Sequence, residues 1–209
     1  MKISSLSRRS GVSVPTIKFY LREQLLPPGA LTARNQAEYD ETHLSRLRLI
    51  RLLTGIGMMS LASVREVLAA IDSNCLSPHG LAQVVNRALM PDHPVLSTDA
   101  KARLDAAERV DRFLDEIGWD VQPETPEREN LVAVLSALAG LGVADTPDVL
   151  RPYVEAAERL ATREIDAQTT AAGAAAVVAQ VVLFEVAFAV MRRMAYTHYL
   201  AARVEREAA

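Results

Sequence analysis

At 209 residues, half of them apolar and with a formal net charge of −3, the chain has the material for a folded core and does not fall in the disordered class. Its single cysteine excludes an internal disulfide framework and an all-cysteine metal site within one chain. Residues 1–71 carry ten Lys or Arg against five Asp or Glu, a net +5, whereas 72–209 carry thirteen against twenty-one, a net −8; the basic block suits a polyanion and the acidic remainder suits solvent, a partner chain or a small ligand.

The first stretch, MKISSLSRRSG, has no long apolar run leading to a cleavage site, so no export signal is expected and the location is read as cytoplasmic. Ser4 or Ser5 is expected to cap a short helix that stops at Gly11, a residue able to take the left-handed conformation of a tight turn. Ser13 then caps a second helix with Pro15 in its first turn and Ile17, Tyr20 and Leu21 at three-to-four spacing, ended by Leu25, Leu26, Pro27 and Pro28. Two short helices joined by a glycine turn predict a helix-turn-helix, whose second helix is the usual reader of a DNA major groove. After the loop ALTARNQAEYDE the helical pattern returns at Glu41, with Leu44, Leu47, Ile50, Leu52 and Leu53 as its apolar face. Arg46, Arg48 and Arg51 mostly fall elsewhere. The turn TGIGM leads to Ser60 as a cap and to Leu61, Val64, Val67, Leu68 and Ile71, a second helix-turn-helix unit.

The order of GVSVPTIKFY, a Leu-Leu-Pro exit, a short loop ending in Tyr39, LSRLRLIRLL and then SLASVREVL resembles the DNA-binding domain of the MerR family of bacterial transcription regulators, over about residues 1–71. The resemblance implies a winged helix-turn-helix in which Ser13, Pro15, Thr16, Lys18, Phe19 and Tyr20 belong to the recognition helix. It implies that Arg34, Asn35 and Tyr39 belong to the wing, and that Arg46 also faces DNA. Lys18 can neutralise a phosphate, Thr16 can donate to a phosphate or a base edge, and the aromatics can pack on sugars and thymine methyls. Family members often carry arginine and tyrosine where this chain has Lys18 and Phe19, which keeps the charge but loses a fork-shaped donor and a hydroxyl. The wing also departs from the family pattern: Ala37 stands where an arginine is expected and Glu38 would repel phosphate, so Arg34 is expected to substitute. Without the resemblance, Phe19 and Tyr20 read as core aromatics and the arginines as a solvated face.

Residues 77–90 read as a short helix ended by PDHP, and Ser97 or Thr98 as the cap of a longer one with the stripe Leu104, Ala107, Val110, Leu114 and Ile117. The resemblance implies a homodimer held by an antiparallel coiled coil beyond the DNA-binding domain, and this stripe is its candidate. Thr125 before Pro126 and Thr146 before Pro147 mark two further starts, with helices running to about Ala139 and Thr170. The last helix begins near Ala171 with AAGAAAVVAQVVLFEVAFAVM, long enough to span a bilayer. Because a membrane would have to bury Glu185, the run is expected to be the buried centre of a helical bundle instead, with no membrane partner. The expected fold is therefore all-α with a small wing. Residues 1–72 form the DNA-binding domain and 73–209 a helical dimerisation and effector domain, loosely similar in architecture to TetR-type ligand domains.

An effector site, for an unidentified small organic molecule, is expected around Gln180 and Glu185 with Trp119, Tyr153, Phe184, Phe188, Tyr196 and Tyr199. The alternative is that Glu185 pairs with Arg192 or Arg163 or reaches solvent. Cys75 and His79, with His93, raise a metal- or redox-sensing alternative, but soft-metal sites ordinarily use at least two thiolates, so neither metal nor cofactor is expected. No phosphate-cradling glycine loop, HExxH or GxSxG occurs, and His43, His79, His93 and His198 are scattered, which argues against an enzyme. The reading is a cytoplasmic, homodimeric regulator that binds double-stranded promoter DNA and acts on RNA polymerase through the promoter. A docking module that keeps the fold without binding DNA is the other class, and the basic block with Lys18 on the reading helix argues against it.

Overall fold

A computed structural model describes residues 1–33, 36–90, 100–143, 146–167 and 173–207. They form nine helices and one two-stranded hairpin, divided into two compact units, Met1–Leu89 with Thr170–Ala209, and Met90–Thr169.

The first unit opens with α1 (Ile3–Ser10) and α2 (Val14–Arg22). Residue Lys2, not Ser4 or Ser5, precedes the first helical turn, and it gives no side-chain cap; both serines lie inside α1. Gly11 ends α1 at φ 68°, and a Cβ there would stand 2.5 Å from Arg51 Nη1, which donates to the Ser10 carbonyl at 2.8 Å. Only glycine satisfies both the left-handed turn and that close approach. Ser13 caps α2 by accepting from the Thr16 amide, with Pro15 in the first turn as expected.

The hairpin pairs β1 (Ala30–Ala33) with β2 (Gln36–Glu38) in antiparallel register, Ala30 opposite Glu38 and Leu31 opposite Ala37. In α3 (Glu41–Arg51), Asp40 accepts from the Thr42 and His43 amides while His43 Nδ1 lies 3.3 Å from the Asp40 amide and 2.7 Å from its carboxylate, a capping box that uses histidine in place of Glu or Gln. The glycine-containing turn TGIGM begins as a π-helical turn, Leu52–Ile56, and Ser60 caps α4 (Leu61–Ser73). The helix α5 (Pro78–Leu89) follows and packs on α4. Leu6, Ile17, Leu44, Leu47, Ile50 and Val64, among others, close a single core with almost no exposure.

The last helix, α9 (Ala174–Glu207), belongs to this first unit, so the compact units do not follow the boundary expected at residues 72 and 73. Its first turns pack on α5 and on the π-helical turn. Val177, Val178 and Val182 are buried, and a Cβ on Gly57 would come within 2.7 Å of Val182 Cγ1. Beyond Val182 the helix is largely exposed, which corrects the expectation of a buried central helix. A run that is apolar on every side has no preferred face, so its sequence could not tell which turns would find a neighbour.

The second unit contains α6 (Ala100–Ile117), α7 (Pro126–Gly140), a 3-10 turn at Pro147–Leu150 and α8 (Arg151–Ala167). Thr125 and Thr146 cap as predicted, although Thr146 starts the 3-10 turn rather than α8 directly. Val110, Leu114 and Ala106 of α6 bury against Val132 and Leu135 of α7. Arg128 of α7, itself buried, makes two 2.7 Å bonds to the Asp111 carboxylate of α6, which lower the Asp111 pKa and raise that of Arg128. The predicted cap at Ser97 or Thr98 lies outside the described residues.

Candidate nucleic-acid interface

Six residues expected on the recognition helix divide between two faces of α2. Lys18 is exposed and makes no hydrogen bond or ion pair among the described residues. Ser13 and Pro15 are exposed at the N-terminus of the helix. Thr16 is half-buried, and its hydroxyl lies 2.6 Å from the Ser13 hydroxyl; a DNA group would therefore meet a coupled pair of hydroxyls rather than an isolated one. Phe19 is half-buried against the core, with its ring tilted 52° to that of Tyr20 at 5.9 Å, and Tyr20 is buried. The tyrosine is thus a core residue first, as the reading without the resemblance had it.

Arg22 was not among the predicted residues. It is exposed one turn beyond Lys18 and its guanidinium lies 6.0 Å from the Phe19 ring centre, an arrangement that restrains the arginine beside the lysine. The signal was available as an i, i+4 pair of cations, Lys18 and Arg22, on the helix assigned to recognition. Arg8, in the last turn of α1, is also exposed and unpaired among the described residues.

Arg46 stands differently from its prediction. Its Nε donates to the Leu25 carbonyl at 2.6 Å and its two terminal nitrogens grip Asp72 at 2.6 and 2.7 Å, with the side chain only 16% exposed. It joins the end of α2, α3 and α4, so its donors are spent on holding the fold. Tyr39 is buried, its amide bonded to the Met1 carbonyl at 2.8 Å and its ring edge-on to His43 at 5.2 Å. It anchors the base of the hairpin against α3. Arg34 and Asn35 lie outside the described residues. Flanking them, Lys2 Nζ donates to Gln36 Oε1 at 2.7 Å, placing a cation at the hairpin that the sequence did not single out.

The Asp40 carboxylate at the start of α3 is held well below the usual carboxylate range, first by the Thr42 hydroxyl at 2.5 Å and then by His43. It stays ionised as a fixed negative cap, one of the few acids on an otherwise basic unit.

The other predicted sites are distributed as follows. Val110 and Leu114 of the dimerisation stripe are buried against α7, with Ala107 and Ile117 packed at the edge of the same cluster; only Leu104, 65% exposed, remains open to a second chain. Of the effector residues, Trp119 donates its indole N–H to Glu158 at 3.0 Å and Tyr153 is exposed, both in the second unit. Gln180, Phe184, Glu185, Phe188, Tyr196 and Tyr199 lie along α9 in the first unit, mostly exposed. A groove of about 360 Å³ does occur in the first unit, lined by Arg46, Leu49, Leu68, Ile71 and Ala175 among others, and shares none of these residues. Cys75 is exposed, its thiol directed to the Ser73 carbonyl, and His79 is exposed; among the described residues no group of three His, Cys, Asp or Glu could hold a metal ion. His93 lies outside the described residues.

Residues 1–71 match the family described as "MerR HTH family regulatory protein". The chain is 37% identical over 89 residues to the HTH-type transcriptional regulator MerD of Acinetobacter calcoaceticus, covering 41% of this chain and 74% of that protein. It is 42% identical over 50 residues to a ZntR homolog of Haemophilus influenzae, also an HTH-type transcriptional regulator, covering 24% of this chain but only 37% of that protein. Among solved structures it is similar to the candidate transcriptional regulator SCO5550 of Streptomyces coelicolor A3(2), with TM-score 0.66, 34% identity and 97% of each chain covered.

Proposed function

This chain belongs to the MerR family of transcription regulators, and from that premise we propose that it binds an inverted-repeat promoter as a homodimer, in the cytoplasm, and answers to a small organic effector. The observation that carries the reading is α2 itself: a serine-capped helix seated on a closed core, with Lys18 and Arg22 aligned on its outer face. Such a helix supplies phosphate neutralisation through its cations and base contact through its first turn. Arg34 on the wing adds a backbone contact and compensates for Ala37. Two copies of α2 enter successive major grooves, and RNA polymerase is addressed through the promoter they bend or twist. The effector acts by binding one conformation of the dimer better than the other. Trp119 and Tyr153 are the candidates in the second unit, where aromatic surface and hydrogen-bonding acids stand together.

The division of roles between arginine and lysine is the test. Lys18→Ala weakens binding on every DNA sequence and lowers the slope of log affinity against log salt by about one. Arg46→Ala leaves that slope unchanged and instead destabilises the fold by about 2 kcal/mol, through the loss of charge-assisted bonds. Equal salt slopes for Lys18→Ala and the parent protein would remove α2 from the DNA.

A further inference from the structure

None of the residues lining the groove of about 360 Å³ in the first unit belongs to α2 or to the hairpin. Its floor is apolar: Leu49 of α3 and Leu68 of α4 are 8% and 2% exposed, with Ile71 of α4 beside them. Thr42, Ser45, Arg46 and Leu49 recur at i, i+3, i+4 and i+7, so a single face of α3 supplies one wall. Ala175, in the first turn of α9, closes the other side. A concavity of this size falls within the range of roughly 300–1,000 Å³ that small-molecule sites occupy.

The side chains at its rim narrow the chemistry of an occupant. The Glu41 carboxylate is held by the Arg9 guanidinium at 2.5 and 2.9 Å, and Arg46 is held by Asp72 and the Leu25 carbonyl. The Thr42 hydroxyl donates to Asp40 at 2.5 Å. An entering ion would lose its water and find each counter-charge already taken. Ser45 is exposed, and its hydroxyl has no bond among the described residues, which leaves one donor and its lone pairs for a ligand. The apolar floor favours an apolar body, and the rim has room for one hydrogen-bonding group.

The position of the groove gives an occupant leverage. Ala175 lies two residues before Val177, which with Val178 and Val182 seats α9 on the core. At its other end α3 starts from the Asp40 cap, directly after Tyr39 at the base of the hairpin. A molecule in the groove therefore touches α3, α4 and the start of α9 together, and favours whichever arrangement of the three fits it best.

We infer that this groove is a binding site for a neutral, mostly apolar organic molecule with a single hydrogen-bonding group, and that its occupancy changes the affinity for DNA. The second half rests on the regulator reading above; the site itself does not. It shares no residue with the Trp119 and Tyr153 surface. The experiment is a fluorescence titration of the full chain with N-phenyl-1-naphthylamine, a neutral probe of aromatic rings and one N–H. The parent is expected to bind it saturably. Ser45→Trp and Ala175→Trp, both at exposed helical positions, fill the groove and raise the dissociation constant about tenfold or more, with circular dichroism unchanged. Met194→Ser, on the exposed stretch of α9, leaves it within about twofold. The anionic sulfonate of the same probe class, anilinonaphthalene sulfonate, binds about tenfold more weakly. Saturating neutral probe shifts the affinity of the parent for its selected inverted repeat about threefold or more, and leaves that of Ser45→Trp unchanged.

Probe binding that is absent from the parent, indifferent to both tryptophan variants, or moved only by Met194→Ser overturns the site. A sulfonate that binds through the groove as tightly as the neutral probe overturns the ligand class. Groove binding with DNA affinity unchanged overturns the coupling. A parent that binds the probe in the groove but selects no inverted repeat overturns the regulator reading and leaves the site standing.

Discussion

Residues 1–89 and the part of α9 beyond Val182 belong to one compact unit and differ in how far the chain covers its own apolar surface. In the first, Leu6, Ile17, Leu44, Leu47 and Ile50 are sealed, the helix starts at Ser13, Asp40 and Ser60 are capped, and the exposed face of α2 is left to Lys18 and Arg22. In the second, large apolar side chains such as Phe184, Phe188, Met191 and Tyr196 stand exposed beside Glu185, Arg192 and Arg193. A helix face left to cations over a finished core suits a solvated, highly charged ligand such as DNA. One that is apolar and unsupported suits a partner that removes it from water. Two parts of one unit thus differ in the chemistry of what each leaves exposed, cations on α2 and apolar side chains on α9.

The sharpest way to break that comparison is to remove apolar volume from each side. Ile50→Ala, in the sealed core, should lower stability by about 2–5 kcal/mol at every protein concentration, measured by urea unfolding. Phe188→Ala should leave stability at high dilution nearly unchanged and abolish its rise with concentration. Equal losses from both at high dilution would show that α9 is supported within the chain. A smaller effect is expected from Ser13→Ala, which removes the cap of α2 and should cost about 1 kcal/mol while weakening DNA binding through the helix it frays. A mutant of unchanged thermal stability would take the Ser13 cap out of the account.

The smallest effect concerns acid. Asp40 has its pKa depressed in the folded state below the ordinary value near 3.9, so its stabilising contribution is complete above that value and is lost as the pH falls through the lower, folded one. Asp40→Asn should therefore narrow the difference in urea midpoint between pH 5 and pH 2, because over that range the parent's unfolded chain takes up a proton at Asp40 that the folded cap refuses, while the amide does not titrate. Parallel profiles for both proteins would mean that Asp40 is not coupled to folding.

Local signals were legible and distant ones were not. Ser13, Ser60, Thr125 and the Pro15 and Pro126 first turns could be placed because a cap depends on three or four neighbouring residues. The helix-turn-helix followed from the same kind of punctuation, whereas the hairpin came only from the family resemblance, which agreed over residues 1–71 with the family match. The pairing of Arg46 with Asp72 was not legible, because the two lie 26 residues apart and nothing in the sequence links them. The α6 stripe was read as a dimer seam, whereas Val110 and Leu114 bury against α7, because a stripe does not say whether its cover is a helix of the same chain or a second molecule. For α9 the difficulty was greater, since apolar residues on all sides give no face at all, and the close approach of Val182 to Gly57 appears only in the fold.

Recognition of a two-fold DNA sequence is the core of the proposed function. Its most direct test is selection of genomic fragments by the purified full chain at near-physiological salt with excess non-specific competitor. The account predicts strong enrichment of one inverted repeat whose half-sites are spaced for two α2 helices on a common duplex. Binding that is sequence-blind and disappears with modest salt would contradict it.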